Sequence, residues 1–584
     1  MKYLFAYKWL LLLCALLMIC SSLFSLIGPE LSGKAIDSIG AAGRVDMRSV
    51  LIYAGLMVLF YALSAGLSYL LSILMISMSK NVAYRMRKDV FEHLCDLPVG
   101  YFDKNQSGDI VSRLTYDIDT VNASLSNDLI HIISGAITVI VCAVQMFRIA
   151  PPLMLIFVIT IPAMIFFSYY RVKKVRPLFS YRSAKYGELN GYAEEMLSGQ
   201  KTIRAYSKER VMIERFDRHN SEAVEAERNA DYQACILGPS INFINNLTIS
   251  LIGMFGVLIF VKTRDSAAGA MFTIGALSSF IQYARRFSGP INETANIVSD
   301  IQSALSAGSR IFRLLDEKCE PSDSDATERL SESGPAESGD VDIDSVTFSY
   351  VEGVTVLHDI SIEAKKRSTV ALVGATGCGK TSIVNLLMRF YDPLSGEIRI
   401  DGVNTKNAPI SDVRRSFAMV LQDTWLFSGT VAENIAYGRD DATFDEIVSA
   451  AKTAKVHDFI ESLPNGYDTV IDENGSNISK GQKQLITIAR AILLDTPLLI
   501  LDEATSNVDS RTEALLHEAM DAAMRDRTCI TVAHRLSTIS NADLIIVMDK
   551  GRIIEKGDHR ELLALGGVYA ELYNSQFEKE SSET

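Results

Sequence analysis

The residues best suited to chemistry form a glycine-rich run, GATGCGKT, at positions 374–381. A β-prone segment (369–373) precedes it and an apolar-periodic segment (382–390) follows it; this order of strand, loop and helix argues against a chance match. Glycines let backbone N–H groups approach phosphate oxygens, and the N-terminus of the helix adds positive potential. Lys380 can reach the outer phosphates of a nucleotide, and Thr381 can ligate magnesium. The residues predicted to contact the nucleotide here are Gly374, Ala375, Thr376, Gly377, Cys378, Gly379, Lys380, Thr381 and Ser382.

Two further apolar runs each end in a side chain that can do chemistry. Residues 498–501 (LLIL) are typical of a strand buried on both faces of a parallel sheet, and Asp502 and Glu503 follow them. Because ligands of open α/β sheets bind beyond the carboxyl ends of the strands, Asp502 can hold magnesium through water and Glu503 can polarise an attacking water. Residues 529–533 end in the same way at His534, which can sense a γ-phosphate or position water. The alternatives are an acidic helix start for the carboxylates and a structural role for the histidine.

Together these motifs resemble those of an ABC transporter half of the exporter type, in which a membrane domain precedes a nucleotide-binding domain. The resemblance covers nearly the whole chain, with 374–381 as the Walker A loop and 498–502 as the Walker B strand. It implies ATP and Mg²⁺ as cofactors, and it adds a D-loop at 507–509. The residues that it implies are catalytic are Gln422, Glu503 and His534, and those that it places near the metal are Thr381, Gln422 and Asp502.

Two further positions carry the resemblance. Tyr350 matches the aromatic residue that stacks on adenine in the family, although a strand-edge tyrosine is the plain alternative. The family signature Leu-Ser-Gly-Gly-Gln is present as ISKGQ at 478–482, so Lys480 replaces a glycine. The family implies that this motif contacts ATP bound to the opposite subunit at a helix N-terminus. The residues assigned to that contact are Ser479, Gly481 and Gln482.

Composition and hydropathy predict a membrane portion. The 584 residues are 48% hydrophobic, and the net charge of −13 argues against a nucleic-acid partner. The N-terminal run resembles a signal peptide, but it approaches the roughly 20 residues of a membrane span and has no cleavage site at its end. The six predicted spans cover 9–27, 50–76, 130–147, 153–170, 236–261 and, least regularly because Gln282, Arg285 and Arg286 interrupt it, 270–290.

The basic residues predict the orientation of the spans, because lysine and arginine are more frequent in cytoplasmic segments. They cluster between the second and third spans and between the fourth and fifth, so both segments and both termini are expected to be cytoplasmic. Both segments are rich in helix formers, and we expect the spans to continue into them. Within them 108–113 and 199–206 resemble the family's two coupling helices, although ordinary loops are the alternative. The localisation expected is the bacterial cytoplasmic membrane.

The predicted fold class is an all-α six-helix transmembrane domain followed by an α/β P-loop ATPase domain of ABC type. The predicted boundaries are 1–316 for the transmembrane domain, 317–340 for an acidic linker, 341–576 for the nucleotide-binding domain and 577–584 for a polar tail. Eight scattered cysteines indicate neither a zinc site nor a disulfide framework. Cys378 lies in the phosphate loop, so alkylation of its thiol is expected to inhibit ATP hydrolysis.

The function implied by the resemblance is ATP-driven export of an amphipathic drug, lipid or peptide by alternating access. A lipid flippase, or an importer built on the exporter scaffold, remains an alternative, whereas the spans exclude a soluble ABC ATPase. Asn242, Asn245 and Asn246 share one face of the fifth span and either line a substrate path or bind a neighbouring span. The expected partner is a second half-transporter. A heterodimer is favoured over a homodimer, because Lys480 then alters only one of the two ATP sites.

Overall fold

In the computed structural model, the described residues are 2–39, 45–263, 272–332, 334–421, 424–472, 478–502, 510–533 and 540–582. The chain divides into two compact units. Unit 1 comprises Met1–Cys95 and Ser107–Glu317, and unit 2 comprises Asp96–Gln106 and Lys318–Thr584.

Unit 1 is helical throughout its described residues, as predicted for a membrane domain. A π-helical segment, Arg113–Asp117, follows α5 and another, Ser124–Asp128, follows α6, so that one continuous helix runs from Ser107 to Ile149. The helices are α1 (Lys2–Phe5), α2 (Lys8–Asp37), α3 (Met47–Cys95), α5 (Ser107–Ser112), α6 (Ile118–Ala123), α7 (Leu129–Ile149), α8 (Pro151–Ser198), α9 (Gln200–Ala205), α10 (Glu209–Cys235), α11 (Leu237–Thr263) and α12 (Ile274–Leu315); α4 (Val99–Lys104) belongs to unit 2.

Among the described residues, five helical stretches are long and apolar enough to cross a membrane. They contain the first five predicted spans. The sixth predicted span falls mostly on α12, which is not among the five stretches, and residues 270 and 271 lie outside the description. The five stretches are Lys8–Asp37, Met47–Cys95, Ser107–Ile149, Pro151–Ser198 and Glu209–Lys262.

Several of these helices continue well beyond the apolar segments, as predicted. The α3 helix has 49 residues and α8 has 48, so each is about 72–74 Å long at 1.5 Å per residue. A bilayer's hydrocarbon core is only about 30 Å thick. Each helix therefore extends as a rod outside the membrane.

The α12 helix packs closely and antiparallel against α2. A Cβ atom placed on Gly275 would lie 2.1 Å from the carbonyl oxygen of Gly33, so only glycine allows this approach. The contact continues along both helices, because Tyr283 Oη donates to the carbonyl of Leu26 at 2.9 Å. Small residues commonly permit such close contact between membrane helices, where no hydrophobic effect drives association.

Unit 2 contains the predicted α/β domain. Its six-stranded sheet has the order β12-β11-β3-β10-β9-β6, and a four-stranded sheet has the order β2-β1-β4-β5. The apolar runs predicted as buried strands are β3, β9 and β10, which lie side by side and parallel. The strands are β1 (Val341–Phe348), β2 (Leu357–Ala364), β3 (Thr369–Gly374), β4 (Ser395–Ile400), β5 (Val403–Asn404), β6 (Phe417–Val420), β7 (Gly429–Thr430), β8 (Val470–Ile471), β9 (Leu498–Asp502), β10 (Thr528–Val532), β11 (Leu544–Asp549) and β12 (Arg552–Gly557).

Helices cover the larger sheet and carry the signature motif. The strands β3 and β10 place side chains in the same hydrophobic core as β1, β2 and the helix that follows the glycine-rich loop. The helices of this unit after α4 are α13 (Lys380–Leu387), α14 (Ile410–Arg415), α15 (Val431–Ala436), α16 (Phe444–Thr453), α17 (His457–Ser462), α18 (Lys480–Leu494), α19 (Ser510–Met524), α20 (His559–Leu565) and α21 (Val568–Ser582).

The acidic segment predicted as a solvated linker makes specific contacts within unit 2. Both guanidinium NH groups of Arg414 donate to the carboxylate of Glu320, at 2.7 and 2.8 Å. The backbone N–H groups of Glu337, Ser338 and Asp340 donate to the carboxylate of Asp401. The polar residues of this segment therefore form hydrogen bonds within unit 2 in addition to being solvated.

The glycine contact between α2 and α12 gives a test of helix packing. We expect Gly275→Leu to lower the thermal unfolding temperature of the purified protein in detergent, because overpacking a tight contact costs about 1–3 kcal/mol or more. Gly66→Leu on α3 is the matched control, since no atom lies within 4 Å of the Cβ position there. Equal unfolding temperatures for the two variants would contradict the packing described for α12.

Candidate nucleotide-binding site

The glycine-rich loop has the backbone that its composition predicts. Gly374 ends β3 with φ +153°, and a Cβ atom there would lie 2.2 Å from the carbonyl oxygen of Met548 on β11. Gly377, with φ +84°, is exposed, and no atom lies within 4 Å of its Cβ position. The loop thus packs tightly on the sheet at one end and borders open space at its tip, as a phosphate cradle requires.

Lys380 is held inside this loop. Its side chain is 5% exposed, and Nζ donates to the carbonyl oxygens of Gly374 at 2.7 Å and Ala375 at 3.1 Å. A buried ammonium needs such partners, because an uncompensated charge is costly to bury. Phosphate oxygens entering the loop can replace these carbonyls without moving Lys380 far, so the residues fit a nucleotide.

Cys378 faces inward rather than towards the open tip. It is 4% exposed and packs in the core beneath the loop, with Sγ 3.8 Å from Lys380 Nζ. Only its backbone can therefore serve a nucleotide. Alkylation of this thiol requires the loop to open, whereas Cys95, Cys235 and Cys319 are exposed and should react first.

The carboxyl ends of three strands meet beside this loop. Val532 on β10 is in register with Leu372 on β3 and with Asp502 on β9. Asp502 is half-buried at this edge, and Thr381 is exposed in the first turn of α13. The Walker A loop and Asp502 therefore lie at the same edge of the sheet, with β10 between their strands. Gln422, Glu503, His534 and the D-loop at 507–509 lie outside the described residues, although the strands that lead to the first three end at this edge.

These groups suit magnesium bound with a nucleotide. Magnesium is usually held by one or two carboxylates or hydroxyls together with substrate phosphates and water. Within the described ranges no group of three His, Cys, Asp or Glu side chains is placed to hold an ion. Thr381 and Asp502 alone would thus hold the ion only together with the phosphates of a bound nucleotide.

Tyr350 is oriented by α13. Its hydroxyl donates to Ser382 Oγ at 3.0 Å and accepts from Asn385 Nδ2 at 3.0 Å. Ser382 is buried, and its side chain positions Tyr350; its contact with a nucleotide stays a prediction. The phosphate loop and the predicted adenine-stacking ring are therefore linked through one helix.

The sequence interpretation missed Tyr391, which holds both this ring and α4. The rings of Tyr391 and Tyr350 meet edge to face at 5.0 Å, and Tyr391 Oη donates to the carboxylate of Asp103 on α4 at 2.5 Å. Burial and then this hydrogen bond raise the pKa of Tyr391 above its ordinary value. A Cβ atom on Gly100 would lie 2.9 Å from the Tyr391 ring. A tyrosine directly after the apolar-periodic segment was the only signal in the sequence.

This contact alters the expected first coupling segment. The part of the membrane-domain sequence that groups with unit 2 is Asp96–Gln106, whereas the predicted segment 108–113 lies in unit 1. The predicted second segment forms the short helix α9 after Gly199. The sequence at 108–113 thus lies where the chain re-enters unit 1. The helix that groups with unit 2 is α4, just before this segment.

The signature motif forms a capped helix start. Ser479 is the N-cap of α18: its Oγ accepts from the N–H of Gln482 at 3.4 Å, and Gln482 Oε1 accepts from the N–H of Ser479 at 3.0 Å. Lys480 is exposed and Gly481 is buried. The exposed end of a 15-residue helix therefore presents a hydroxyl, a lysine and positive helix potential to an anion, and the contact of Ser479, Gly481 and Gln482 with ATP stays a prediction.

Comparison with known families decides what this arrangement is. Residues 11–285 match the ABC transporter transmembrane region, and residues 357–506 match the ATP-binding domain family named ABC transporter. An uncharacterised ABC transporter ATP-binding protein of Bacillus subtilis is 40% identical over 99% of this chain and 94% of its own length. The chain belongs to the ABC transporter family.

Two further comparisons specify the type. A fatty acid ABC transporter ATP-binding/permease protein of Mycobacterium tuberculosis is 41% identical over 84% of this chain and 75% of its own length. The solved structure of a bacterial Atm1-family ABC exporter with ATP bound shares 28% identity with a TM-score of 0.77, and covers 98% of both chains. This ABC transporter is an ATP-driven exporter half and an integral membrane protein of bacteria.

The position of Lys380 gives a test of the nucleotide site. We expect Lys380→Ala to reduce ATP hydrolysis by about 10²–10³-fold, comparable to removal of one donor that stabilises transition-state charge. Lys366→Ala, at an exposed position of the same unit, is the control and should hydrolyse ATP at the parent rate. A folded Lys380→Ala protein with more than a tenth of the parent rate would contradict the assignment.

Proposed function

We propose that this exporter half moves an amphipathic substrate bearing an acyl chain out of the cytoplasm or its inner leaflet, driven by ATP hydrolysis at the site just described. The observation that carries the proposal is the position of the Lys380 loop and Asp502 at one sheet edge, in a chain whose described residues include five helical stretches long and apolar enough to cross a membrane. Relatives that include a fatty acid transporter support the substrate class.

Each group at the site has a proposed role. Lys380 and the loop amides hold the outer phosphates, and Tyr350 stacks on adenine. Thr381, Gln422 and Asp502 hold Mg²⁺, which neutralises phosphate charge when bound. Glu503 polarises the attacking water and His534 orients it against the γ-phosphate. The hydroxyl and helix N-terminus at Ser479 complete the site of the partner subunit, together with Gly481 and Gln482.

The membrane unit is proposed to contain six spans with both termini in the cytoplasm. The packing of α12 against α2 supports the sixth span, because Arg286 is compensated there by the hydroxyl and carbonyl of Ser25, at 2.7 and 2.9 Å. A charged side chain that has such partners can lie within a bilayer. The basic residues of the connecting segments support the orientation.

The fifth span contributes to the proposed substrate path. Asn242 and Asn246 are exposed on α11 and Asn245 is half-buried. Among the described contacts, none of these three amides bonds to another span, which favours the path over interhelical bonding. A flippase acting on a membrane lipid, or an importer on the same scaffold, remains the second candidate.

Exporter halves of this family work as dimers, and we propose a related but non-identical partner. Lys480 is exposed at the end of α18 that faces the partner's nucleotide in the family, so it alters the site built on the partner's phosphate loop. In a heterodimer that site can retain ATP while the site on this chain's loop turns over. The partner should then lack a glutamate equivalent to Glu503.

The heterodimer is tested by expressing this chain alone. We expect little ATP hydrolysis from the purified chain, and recovery when the partner is co-expressed, because one complete site needs both chains. Mass measurement in detergent and ATPase assays with and without the partner provide the data. A stable homodimer with full, substrate-stimulated turnover would contradict the proposal.

A further inference from the structure

A cavity of about 340 Å³ lies inside unit 1, away from the nucleotide site. Its wall combines the N-terminal helix with three longer helical segments and is almost entirely apolar. Its volume is within the roughly 300–1,000 Å³ typical of ligand sites. The residues that define its four sides are Tyr3 from α1, Met86 from α3, Val121 and Leu125 around the second π-helical segment, and Gly308 from α12.

The level of the cavity follows from the pairing of α2 and α12. Tyr283 lies beside Leu26, and the two helices are antiparallel. Counting 18 residues along each helix from this contact reaches Ile301 and Lys8, about 27 Å away at 1.5 Å per residue. Ile301 lines the cavity, and Lys8 begins α2. The cavity therefore begins level with the N-terminal end of the first span and extends beyond it, because its other α12 residues, Ala304 to Phe312, lie further along the helix.

One cation on α3, the residue before the cavity-lining Met86, has no carboxylate partner among the described residues. On α3, Arg87 pairs with Asp119 and Lys88 with Glu92, but within the part of the chain that the structure describes Arg85 makes no ion pair. Its guanidinium is exposed and lies over the ring of Tyr7 at 5.3 Å.

The same side of α3 holds the N-terminal helix. Asp89, one turn beyond Arg85, accepts a hydrogen bond from Tyr3 Oη at 2.7 Å. Tyr3 and Met86 line the cavity, and Arg85 directly precedes Met86 in the sequence. An exposed guanidinium thus lies near the apolar cavity, next to a carboxylate that is engaged by Tyr3.

Part of the cavity wall is formed by a π-helical segment. Ser124 and Leu125, which line the cavity, belong to one of two π-helical segments in a single helix. Such segments occur frequently at functional sites. The other segment ends at Asp117, which is 2% exposed and bound by Arg310 through two hydrogen bonds from α12. Asp117 is therefore satisfied, and Arg310 is not available to a ligand.

We propose that this cavity binds the chain of a single-chain anionic amphiphile, a long-chain fatty acid, with its carboxylate at Arg85. If each carbon group of an acyl chain takes about 30 Å³, the volume of one water molecule, the cavity holds roughly eleven carbon groups. This is enough for most of one acyl chain and too few for two. The apolar wall matches the chain, and Arg85 matches the carboxylate. The site is separate from the transported substrate and does not depend on which substrate is exported.

Photolabelling of the full chain in neutral phosphatidylcholine nanodiscs tests the proposal. The probe is hexadecanoic acid carrying a diazirine, and labelled peptides are identified by mass spectrometry. We expect label on the segments 82–86, 121–125 and 301–312. Gly308→Leu should reduce this label at least fivefold, because the new side chain enters the cavity where the nearest atom to Cβ, on Val121, is 4.0 Å away. Ser124→Leu is a second filling variant in case the first fails to fold.

The controls separate the parts of the proposal. Gly187→Leu, on a long helix with no atom within 4 Å of its Cβ position, should leave the label unchanged. Arg85→Gln should reduce labelling by the acid and not by the matching hexadecanol probe. Equal labelling of Gly308→Leu and Gly187→Leu would overturn the proposal. The absence of label, as expected if a second protein chain fills the cavity, would also overturn the proposal. Stronger labelling by a two-chain phosphatidylglycerol probe would overturn it as well. ATP hydrolysis by the same variants co-expressed with the partner reports on the proposed function separately.

Discussion

The compensation of Lys380 inside its own loop is the interaction on which the nucleotide-binding unit depends. A buried ammonium is stable there only because two loop carbonyls face it at 2.7 and 3.1 Å. That geometry requires a glycine at 374, where the chain leaves β3 against Met548, and a helix beginning at Lys380. The parallel sheet then brings Asp502 to the same edge. A phosphate that replaces the two carbonyls keeps the charge compensated, so binding needs little rearrangement of the loop.

Much of this unit is predictable from the sequence, and the exceptions have physical reasons. Buried parallel strands appear as uninterrupted apolar runs, so β3, β9 and β10 can be located without any structure. The hydrogen-bond partner of Ser382 cannot be predicted in this way, because its hydroxyl binds Tyr350, which is 32 positions away in the sequence. Tyr391 and Asp103 are separated by 288 positions, and no local pattern reports a contact of that kind. The family resemblance implies catalytic roles for Gln422, Glu503 and His534, but it does not indicate contacts such as these.

In the membrane unit, the sequence predicts the helices but not their contacts. Hydropathy locates the five long helical stretches found among the described residues, because each contains an apolar segment long enough to cross the bilayer's hydrocarbon core. It is least informative for α12, where Arg286 interrupts the pattern. The cost of that charge is offset by Ser25 on α2, and the close approach of Gly275 to Gly33 holds the two helices together. Neither contact can be read from hydropathy, since both depend on which helices are neighbours.

We expect ATP hydrolysis at this chain's own phosphate loop to drive export. The most direct measurement is ATP-dependent accumulation of a fluorescent acyl-chain amphiphile in inside-out vesicles that contain this chain with its partner. We expect accumulation with the parent chain. With Glu503→Gln we expect retained ATP binding without hydrolysis or accumulation. Hydrolysis and accumulation near the parent rate with Glu503→Gln would contradict the coupling of this phosphate loop to export through Glu503.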